Sequence, residues 1–180
     1  MALPLCRSFD PGRFDAERAE VIVPPPDEGA GYWAGAPSIL RDGDRLFLYC
    51  RLRRPRGQTP DRGYECRILA SDGGGRFETV WRMEKSEVDS TSVERGCLVR
   101  APGGEFRLYL SYVDPADGRW RTDLLEADHP SRFDAARRVP CLTAEGCGCA
   151  TSQFSGRARC RRFITGLWIC HIGLKMRSQC

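Results

Sequence analysis

The residues with the clearest capacity for chemistry are the adjacent pair Glu94-Arg95, which opens the stretch "SVERGCLVRAPGGEFRLYLSYV" (Ser92–Val113). A carboxylate can donate or accept a proton, and a guanidinium can hold it in the ionised form. In front of an apolar strand, such a pair is either a structural ion pair or part of a site at the strand start. Which of the two applies depends on how the strand is used.

The residues after this pair predict a β-hairpin. The apolar positions of "FRLYLSYV" alternate along the chain, at Phe106, Leu108, Leu110 and Tyr112. This period of two is typical of a half-buried strand. The preceding "APGG" is a hairpin signal, because Pro presets one turn dihedral and Gly accepts a positive φ. Glu94 and Arg95 therefore precede the first strand of a hairpin.

The composition is that of a globular protein. Of 180 residues, 41% are hydrophobic and 29% are charged, which excludes wholesale disorder. No apolar run approaches the ~20 residues of a membrane span, and "MALPLCRSFDPGRF" lacks the features of a secretory signal. We expect a cytoplasmic protein that does not contact a membrane.

Charge and cysteine are unevenly distributed along the chain. Residues 1–140 hold 22 Lys and Arg against 23 Asp and Glu, whereas residues 141–180 hold six basic residues against one acid, Glu145. Six of the ten cysteines also lie in residues 141–180, where the strand alternation stops. We therefore separate a domain at 1–140 from a Cys/Arg-rich tail at 141–180.

The first 140 residues contain an internal repeat. "ILASDGGGRFETVWRM" (Ile68–Met83) aligns without a gap on "LLEADHPSRFDAARRV" (Leu124–Val139), and "SILRDGDRLFLYCR" (Ser38–Arg51) aligns on "CLVRAPGGEFRLYLSY" (Cys97–Tyr112). Each unit predicts a four-stranded antiparallel sheet, the first at about 31–85 and the second at about 92–141.

A third, partial copy, "GRFDAERAEVIVP", predicts an orphan strand at 12–24 that repeats the end of the second unit. Four-stranded sheets that repeat after an orphan outer strand are typical of a β-propeller, in which that strand completes the last blade. The predicted fold is all-β, a partial five-bladed propeller of two blades. A sandwich of two stacked sheets is the alternative.

Residues 31–140 resemble the five-bladed propeller glycosidases, the clan of arabinanases, xylosidases, fructosidases and mannoside phosphorylases. The resemblance rests on "WAGAPSILRDGDRLFLYCRLRR", "DRGYECRILASDGG", "SVERGCLVRAPGGEFRLYLSY" and "WRTDLLEADHPSRFD". It implies a cavity at the starts of the innermost strands, and glycoside cleavage by a separated pair of carboxyl groups.

The match to the family's acidic residues is incomplete. The first blade has Ala36, within Gly35-Ala36-Pro37, where the family places a catalytic Asp. The resemblance implies that Glu94 is a cavity carboxylate, and that Arg95 holds it ionised or contacts a sugar hydroxyl. A third blade should begin near residue 145, but Glu145 has neither the spacing nor the neighbours of such a strand.

Other candidate sugar-binding residues come from the same region. Tyr32 and Trp33 can offer a flat face to a sugar ring, or plug the propeller core. The segment Arg51–Glu65 is predicted to connect the second and third strands, and its arginines either bind an anionic sugar or phosphate or lie in solvent. Within it, Asp61-Arg62-Gly63 is similar to a loop of these enzymes, and Arg53 is a further candidate.

The tail permits three interpretations. Its cysteines and His171 can be read as zinc ligands, but their spacing is unlike that of structural zinc sites. "RARCRR" (Arg157–Arg162) can be read as a phosphate-binding cluster. We prefer a third interpretation, in which residues after about 146 are out of frame or poorly ordered, because charge, cysteine use and periodicity all change there.

The predicted function is that of a glycoside hydrolase-like, carbohydrate-active protein that is truncated. A non-catalytic carbohydrate-binding or interaction module is the alternative. We expect an oligosaccharide or glycoside as the partner, and no cofactor, metal or nucleic acid. Exposed blade surfaces would favour self-association.

Overall fold

The structure is a computed structural model that describes residues 19–73 and 75–143. Eight strands fall in these residues: β1 (Trp33–Asp42), β2 (Arg45–Arg54), β3 (Arg62–Ser71), β4 (Glu78–Glu84), β5 (Val93–Arg100), β6 (Phe106–Val113), β7 (Trp120–Ala127) and β8 (Val139–Leu142). Short 3₁₀ helices lie at Lys85–Val88, Pro130–Arg132 and Ala135–Arg137.

The strands form two four-stranded sheets, ordered β1-β2-β3-β4 and β5-β6-β7-β8, with antiparallel neighbours throughout. Sequential order with short hairpins is what the alternating strands and intervening turns predict. The predicted fold class, all-β with two four-stranded antiparallel blades, is confirmed.

The strand β6 is more buried than its alternation predicted. Phe106, Leu108, Leu110 and Tyr112 do share a face and are at most 2% exposed. However, Tyr109 and Ser111 on the opposite face are only 8% and 6% exposed. The expectation of a half-buried strand was therefore wrong, since both faces of this strand lie inside the protein.

The two sheets pack face to face through non-equivalent faces. Tyr49 and Tyr109 are equivalent, since they pair with Ile68 and Leu124, which the sequence repeat also aligns. Tyr49 points into the interface with the second sheet, where it faces Gly96. Gly96 pairs with Leu110, so Tyr109 lies on the opposite face of its sheet. This head-to-tail packing is expected of propeller blades and differs from a sandwich of two sheets related by a two-fold axis.

The core lies between the sheets. Phe47 packs edge-to-face on Phe106, with ring centroids 5.5 Å apart, and the Trp81 indole N–H donates to the Phe133 carbonyl at 2.8 Å. Aromatic pairs of this geometry add about 0.5–1.5 kcal/mol beyond their burial. The remaining members are mainly aliphatic: Ile68, Met83, Val88, Val93, Leu98, Leu108, Leu110 and Leu125.

Two glycines allow the sheets to approach each other. A Cβ on Gly96 would lie 2.6 Å from the Tyr49 ring, and a Cβ on Gly63 would overlap the Val93 carbonyl oxygen. Across the same contact, the Tyr49 hydroxyl donates to the Glu94 carbonyl at 2.8 Å. The inner strands are also linked by the Leu98 N–H, which donates to Ser38 Oγ at 3.2 Å.

A buried charge network fastens the second sheet. Asp123 is fully buried and accepts hydrogen bonds from the Tyr112 hydroxyl at 2.5 Å and the Arg121 Nε at 2.9 Å. The Arg138 Nε lies 3.4 Å from the same carboxylate, and Arg121 also pairs with Asp114 at 2.7 Å. A carboxylate without solvent needs such partners, so the network fixes β6 against β7 and the segment before β8.

The chain before β1 differs from the prediction. Of the expected orphan strand at 12–24, residues 19–24 contain no strand, and residues 12–18 lie outside the described residues. A single strand needs a neighbour to satisfy its backbone groups, and the described residues provide no further blade to pair with it.

Most of the tail, residues 144–180, lies outside the described residues. This includes Glu145, the proposed zinc ligands from Cys147 onward and the "RARCRR" cluster. The interpretations of the tail therefore stay predictions.

The helices of residues 19–73 and 75–143 are three or four residues long, and none of them could span a membrane. The same residues contain no group of three His, Cys, Asp or Glu side chains arranged to hold a metal ion.

Three large apolar side chains are exposed: Ile39, Val139 and Leu142 are 63%, 58% and 53% exposed. Self-association through such surfaces stays a prediction.

We predict that Gly96→Ala destabilises the fold. Its methyl group would meet the Tyr49 ring and separate the sheets, so the free energy of unfolding should fall by about 1–3 kcal/mol. Urea denaturation followed by tryptophan fluorescence measures this.

Gly103→Ala is the matched control, because its Cβ would meet only the flexible Glu105 side chain. It should change stability by less than about 0.5 kcal/mol. Equal effects of the two substitutions would contradict the close packing at Gly96.

Candidate functional site at the inner-strand edge

The candidate residues gather at one edge of the two sheets. Trp33, at the start of β1, pairs with Arg53 near the end of β2, and Arg54 pairs with Arg62 at the start of β3. Because neighbouring strands are antiparallel, the ends of β2 and β4 meet the starts of β1, β3 and β5 at this edge. We call it the inner-strand edge.

The central contact of this edge is an ion pair between the sheets. Arg51 on β2 directs its Nη1 at the Glu94 Oε2 on β5. The Arg51 side chain is 5% exposed, whereas that of Glu94 is 32% exposed. The guanidinium is thus buried beneath a carboxylate that remains open to solvent.

The backbone of Glu94 is held as well as its side chain. Its carbonyl accepts the Tyr49 hydroxyl at 2.8 Å. Neither the Arg51 Nε nor its Nη1 makes a regular hydrogen bond among the described residues, so the Nη1–Glu94 contact is an ion pair of opposite charges. A buried guanidinium nitrogen without an acceptor is costly, and this makes the single carboxylate of Glu94 more important to Arg51.

Trp33 lies beside this contact and outside the core between the two sheets. Its side chain is 42% exposed, and the guanidinium carbons of Arg51 and Arg53 lie 5.1 Å and 5.6 Å from its ring centroid. Cation–π contacts of this kind hold the indole in place. Tyr32, the preceding residue, is half-buried.

The register shows which residues of the two blades are equivalent. Ser38 pairs with Tyr49 as Cys97 pairs with Tyr109. Counting back from these pairs, Gly35 is equivalent to Glu94, and Ala36 is equivalent to Arg95. The β-bulge in β1, between Gly35 and Ser38, is displaced by one residue relative to that in β5, between Val93 and Gly96. In the first blade, neither Gly35 nor Ala36 supplies a carboxylate.

Asp61 and Arg62 lie beside this contact, at the start of β3. Lys85 donates to the Asp61 carbonyl and Oδ1, both at 3.0 Å, and to the Thr91 carbonyl at 3.1 Å. The hydrogen bond from Lys85 lowers the pKa of the Asp61 carboxyl, more than partial burial raises it. Asp61 is therefore a brace between two loops and is not a proton donor near neutral pH.

Arg62 has a φ of 57°, in the left-handed region that costs a non-glycine residue roughly 1 kcal/mol. The Gly63 N–H next to it donates to Ser92 Oγ at 3.3 Å, which joins the start of β3 to the chain before Glu94.

The segment Arg51–Glu65 is not the connector that the sequence predicted. Arg51, Arg53 and Arg54 belong to β2, Arg62 begins β3, and the loop is confined to residues 55–61. The antiparallel pairing of β2 with β3 continues to Arg54, so the strands reach further into this edge than their composition indicated.

Two contacts of the candidate residues were not predicted from the sequence. Glu94 pairs with Arg51 on β2, and Lys85 reaches Asp61 across 24 residues of chain. Arg95 follows Glu94 in β5 and is half-buried, and its role stays a prediction. The alternation of β2 was a usable signal, because it places Arg51 on the same face as Tyr49.

Two buried thiols near this region are chemically inert. Burial raises the pKa of the Cys50 thiol to about 11, and burial also raises that of Cys66. Both remain protonated at neutral pH, so neither is a candidate nucleophile.

We predict that the contribution of Asp61 to stability depends on pH. Because its pKa is lowered in the native state, the contribution is full above the unfolded-state pKa of about 3.9 and is lost as the pH falls through the native value. Asp61→Asn should reduce the free energy of unfolding by up to about 1 kcal/mol at pH 7, and by less at pH 3.

Denaturant titrations at the two pH values measure this difference. Asp72→Asn is the control, because the Asp72 side chain is 85% exposed in its ion pair with Arg45. It should change the free energy of unfolding by less than about 0.5 kcal/mol at either pH. If Asp61→Asn lowered the free energy of unfolding more at pH 3 than at pH 7, Asp61 would not be a brace between the two loops.

The comparisons with known proteins bear on the fold. The sequence matches no family model and no curated protein sequence. Among solved structures it is similar to a GH43_1 enzyme from Xanthomonas citri complexed with xylotriose, with a TM-score of 0.50 and 16% identity over 62% of this chain and 33% of that one. An α-L-arabinanase from Cellvibrio cellulosa complexed with arabinohexaose matches with a TM-score of 0.39 and 16% identity, over 63% of this chain and 38% of that one.

The chain thus spans about a third of the length of the Xanthomonas citri enzyme. The likeness concerns the fold, because the identity is low. The two sheets of this chain have the fold of part of a β-propeller glycosidase.

Proposed function

We propose that this chain is part of a glycoside hydrolase-like protein, that it binds a carbohydrate at the inner-strand edge, and that Glu94 is a catalytic carboxylate there. The observation that carries the proposal is the Glu94 carboxylate, which is open to solvent and held from below by the buried Arg51. The propeller glycosidase fold supports it.

The chemistry of Glu94 follows from its partner. A carboxylate paired with a guanidinium is an acceptor, so it fits the role of base, nucleophile or charge stabiliser at an oxocarbenium-like transition state. Glycoside cleavage also requires a carboxylic acid that protonates the leaving oxygen. Gly35 and Ala36 do not supply it, and Asp61 is held by Lys85. We assign this acid to the part of the propeller that the described residues do not include.

Trp33 supports the carbohydrate as ligand. An exposed indole fixed beside a carboxylate offers an apolar face to the C–H groups of a sugar, while Glu94 accepts hydrogen bonds from its hydroxyls. The similar structures are complexes with xylotriose, xylose and arabinohexaose, so these sugars are a suitable first panel.

A non-catalytic carbohydrate-binding module is the second candidate. The specific observation in its favour is the first blade, where Gly35 occupies the position equivalent to Glu94. A chain with one carboxylate at the inner-strand edge can bind a sugar and fail to cleave it.

We predict that Glu94→Gln separates these functions. Under the first, release of xylose or arabinose from the panel, followed by chromatography, should fall about 100-fold or more, because the amide cannot act as base or nucleophile. Under the second, no release occurs with either protein, and calorimetric affinity for the sugars changes little.

Glu78→Gln is the matched control, since that side chain is 75% exposed and only loosely paired with Arg76 at 3.8 Å. Trp33→Ala should weaken sugar binding by about tenfold in either case. Unchanged affinity in Trp33→Ala, with the protein folded, would contradict a sugar site at this edge.

A further inference from the structure

A second feature of the inner-strand edge is an open cleft of about 550 Å³. It lies between the loop of residues 55–61, which joins β2 to β3, and residues 85–92, which join β4 to β5. The residues that line it are Arg56, Asp61, Arg62, Lys85, Ser90 and Thr91. We call it the basic cleft.

The walls of the basic cleft carry an excess of positive charge. Three cations and one carboxylate line it, which leaves two positive charges. The Lys85 ammonium already has three acceptors, because it donates to the Asp61 carbonyl oxygen, to the Asp61 Oδ1 and to the Thr91 carbonyl. The excess charge therefore belongs to Arg56 and Arg62.

Neither of these arginines has a carboxylate at ion-pair distance, although Arg62 is near enough to help lower the pKa of the Asp61 carboxyl. No hydrogen bond or ion pair of residues 19–73 and 75–143 engages either guanidinium, whereas Arg51, Arg67, Arg107 and Arg121 each meet a carboxylate. A guanidinium presents paired N–H donors that match two oxygens of an oxyanion. Two unpaired guanidiniums on one cleft are a recognition surface for such a group.

The walls of the basic cleft are held rigidly. Lys85 ties the β2–β3 loop to the β4–β5 connection, and the Ser90 hydroxyl is hydrogen-bonded to the carbonyls of Ser92 and Val113 at 3.0 Å and 2.7 Å. Arg62 keeps its left-handed backbone at the cleft wall. Arg62 is thus presented on a braced frame, which reduces the entropy lost on binding.

The basic cleft also adjoins the Glu94 contact. Gly63 follows Arg62, and its N–H donates to Ser92 Oγ at 3.3 Å. Ser92 follows Thr91 and lies two residues before Glu94. A ligand group in the basic cleft is therefore a near neighbour of a sugar held at Glu94 and Trp33.

We propose that Arg62 and Arg56 bind an oxyanion in the basic cleft, and that the carbohydrate substrate is an acidic glycoside whose carboxylate, sulfate or phosphate occupies this position. The assignment of the substrate class rests on the proposed function. The assignment of the oxyanion site rests on the cleft alone.

The test uses the full chain and two probes. Calorimetry first measures binding of inorganic sulfate and phosphate to the wild type, Arg62→Gln and Arg56→Gln. It then compares xylotriose with a xylotriose that carries a glucuronic acid branch. Arg76→Gln is the control, because it removes the same charge from an 89% exposed side chain outside the cleft.

The proposal expects saturable 1:1 binding of sulfate or phosphate that weakens about tenfold or more in Arg62→Gln and is unchanged in Arg76→Gln. It also expects the acidic oligosaccharide to bind about tenfold more tightly than the neutral one, and free sulfate to compete with it. Binding of free phosphate with no preference for the acidic oligosaccharide would assign the site to the inorganic ion and overturn the substrate class.

Other outcomes separate this inference from the proposed function. Neutral and acidic sugars bound equally, with no anion bound, would overturn the oxyanion site and leave the sugar site intact. Anion binding without binding of either sugar would keep the oxyanion site and overturn the proposed function. If Arg62→Gln and Arg76→Gln weakened anion binding equally, the effect would come from net charge alone. That result would overturn the oxyanion site.

Discussion

The contact on which the site depends is that of the Tyr49 ring with the backbone of Gly96. The ring lies so close to the Gly96 Cα that even a methyl group would not fit between them. This distance sets how near β2 of the first sheet comes to β5 of the second. It thereby decides that Arg51, two residues from Tyr49 on the same face, reaches the Glu94 carboxylate.

Packing and electrostatics are therefore coupled at this edge. A guanidinium that is 5% exposed has lost most of its hydration, and a buried charge without a partner is strongly destabilising. Arg51 has Glu94 as its counter-ion, and Glu94 is in turn kept as an oriented, solvent-facing carboxylate. Under the proposed function, the same carboxylate would stabilise the fold and contact the ligand.

The basic cleft beside this contact also depends on charged side chains that the fold holds in place. Lys85 uses its three donors to join the β2–β3 loop to the chain before β5, which leaves Arg56 and Arg62 as cations that the fold itself does not use. Asp123 illustrates the contrast, because it meets Tyr112, Arg121 and Arg138 inside the second sheet and has no exposure to a ligand.

Much of the fold could be predicted from the sequence. Alternation and turn residues predicted the hairpins, and the internal repeat predicted two equivalent four-stranded sheets, because both signals are local or depend on counting along the chain. The same reasoning placed Glu94 at the start of an inner strand. It placed Arg51 in the connector after the second strand, because local pattern does not show how far pairing with β3 extends β2.

The remaining differences have similar causes. The predicted connector Arg51–Glu65 is in fact a loop of residues 55–61, because the pairing of β2 with β3 continues to Arg54. The predicted strand at 12–24 depended on a neighbour that the described residues do not include. In both cases the outcome depends on which strands pair with each other, and residue propensities do not encode this pairing.

The most direct test of this account is a double-mutant cycle between Arg51 and Glu94. The free energies of unfolding of Arg51→Met, Glu94→Gln and the double variant are measured against the wild type. The account predicts that each single substitution destabilises the protein and that the double variant loses less than the sum, with a coupling of about 1–3 kcal/mol. Additivity within about 0.5 kcal/mol would show that the two side chains do not interact, and would contradict the ion pair on which the site is built.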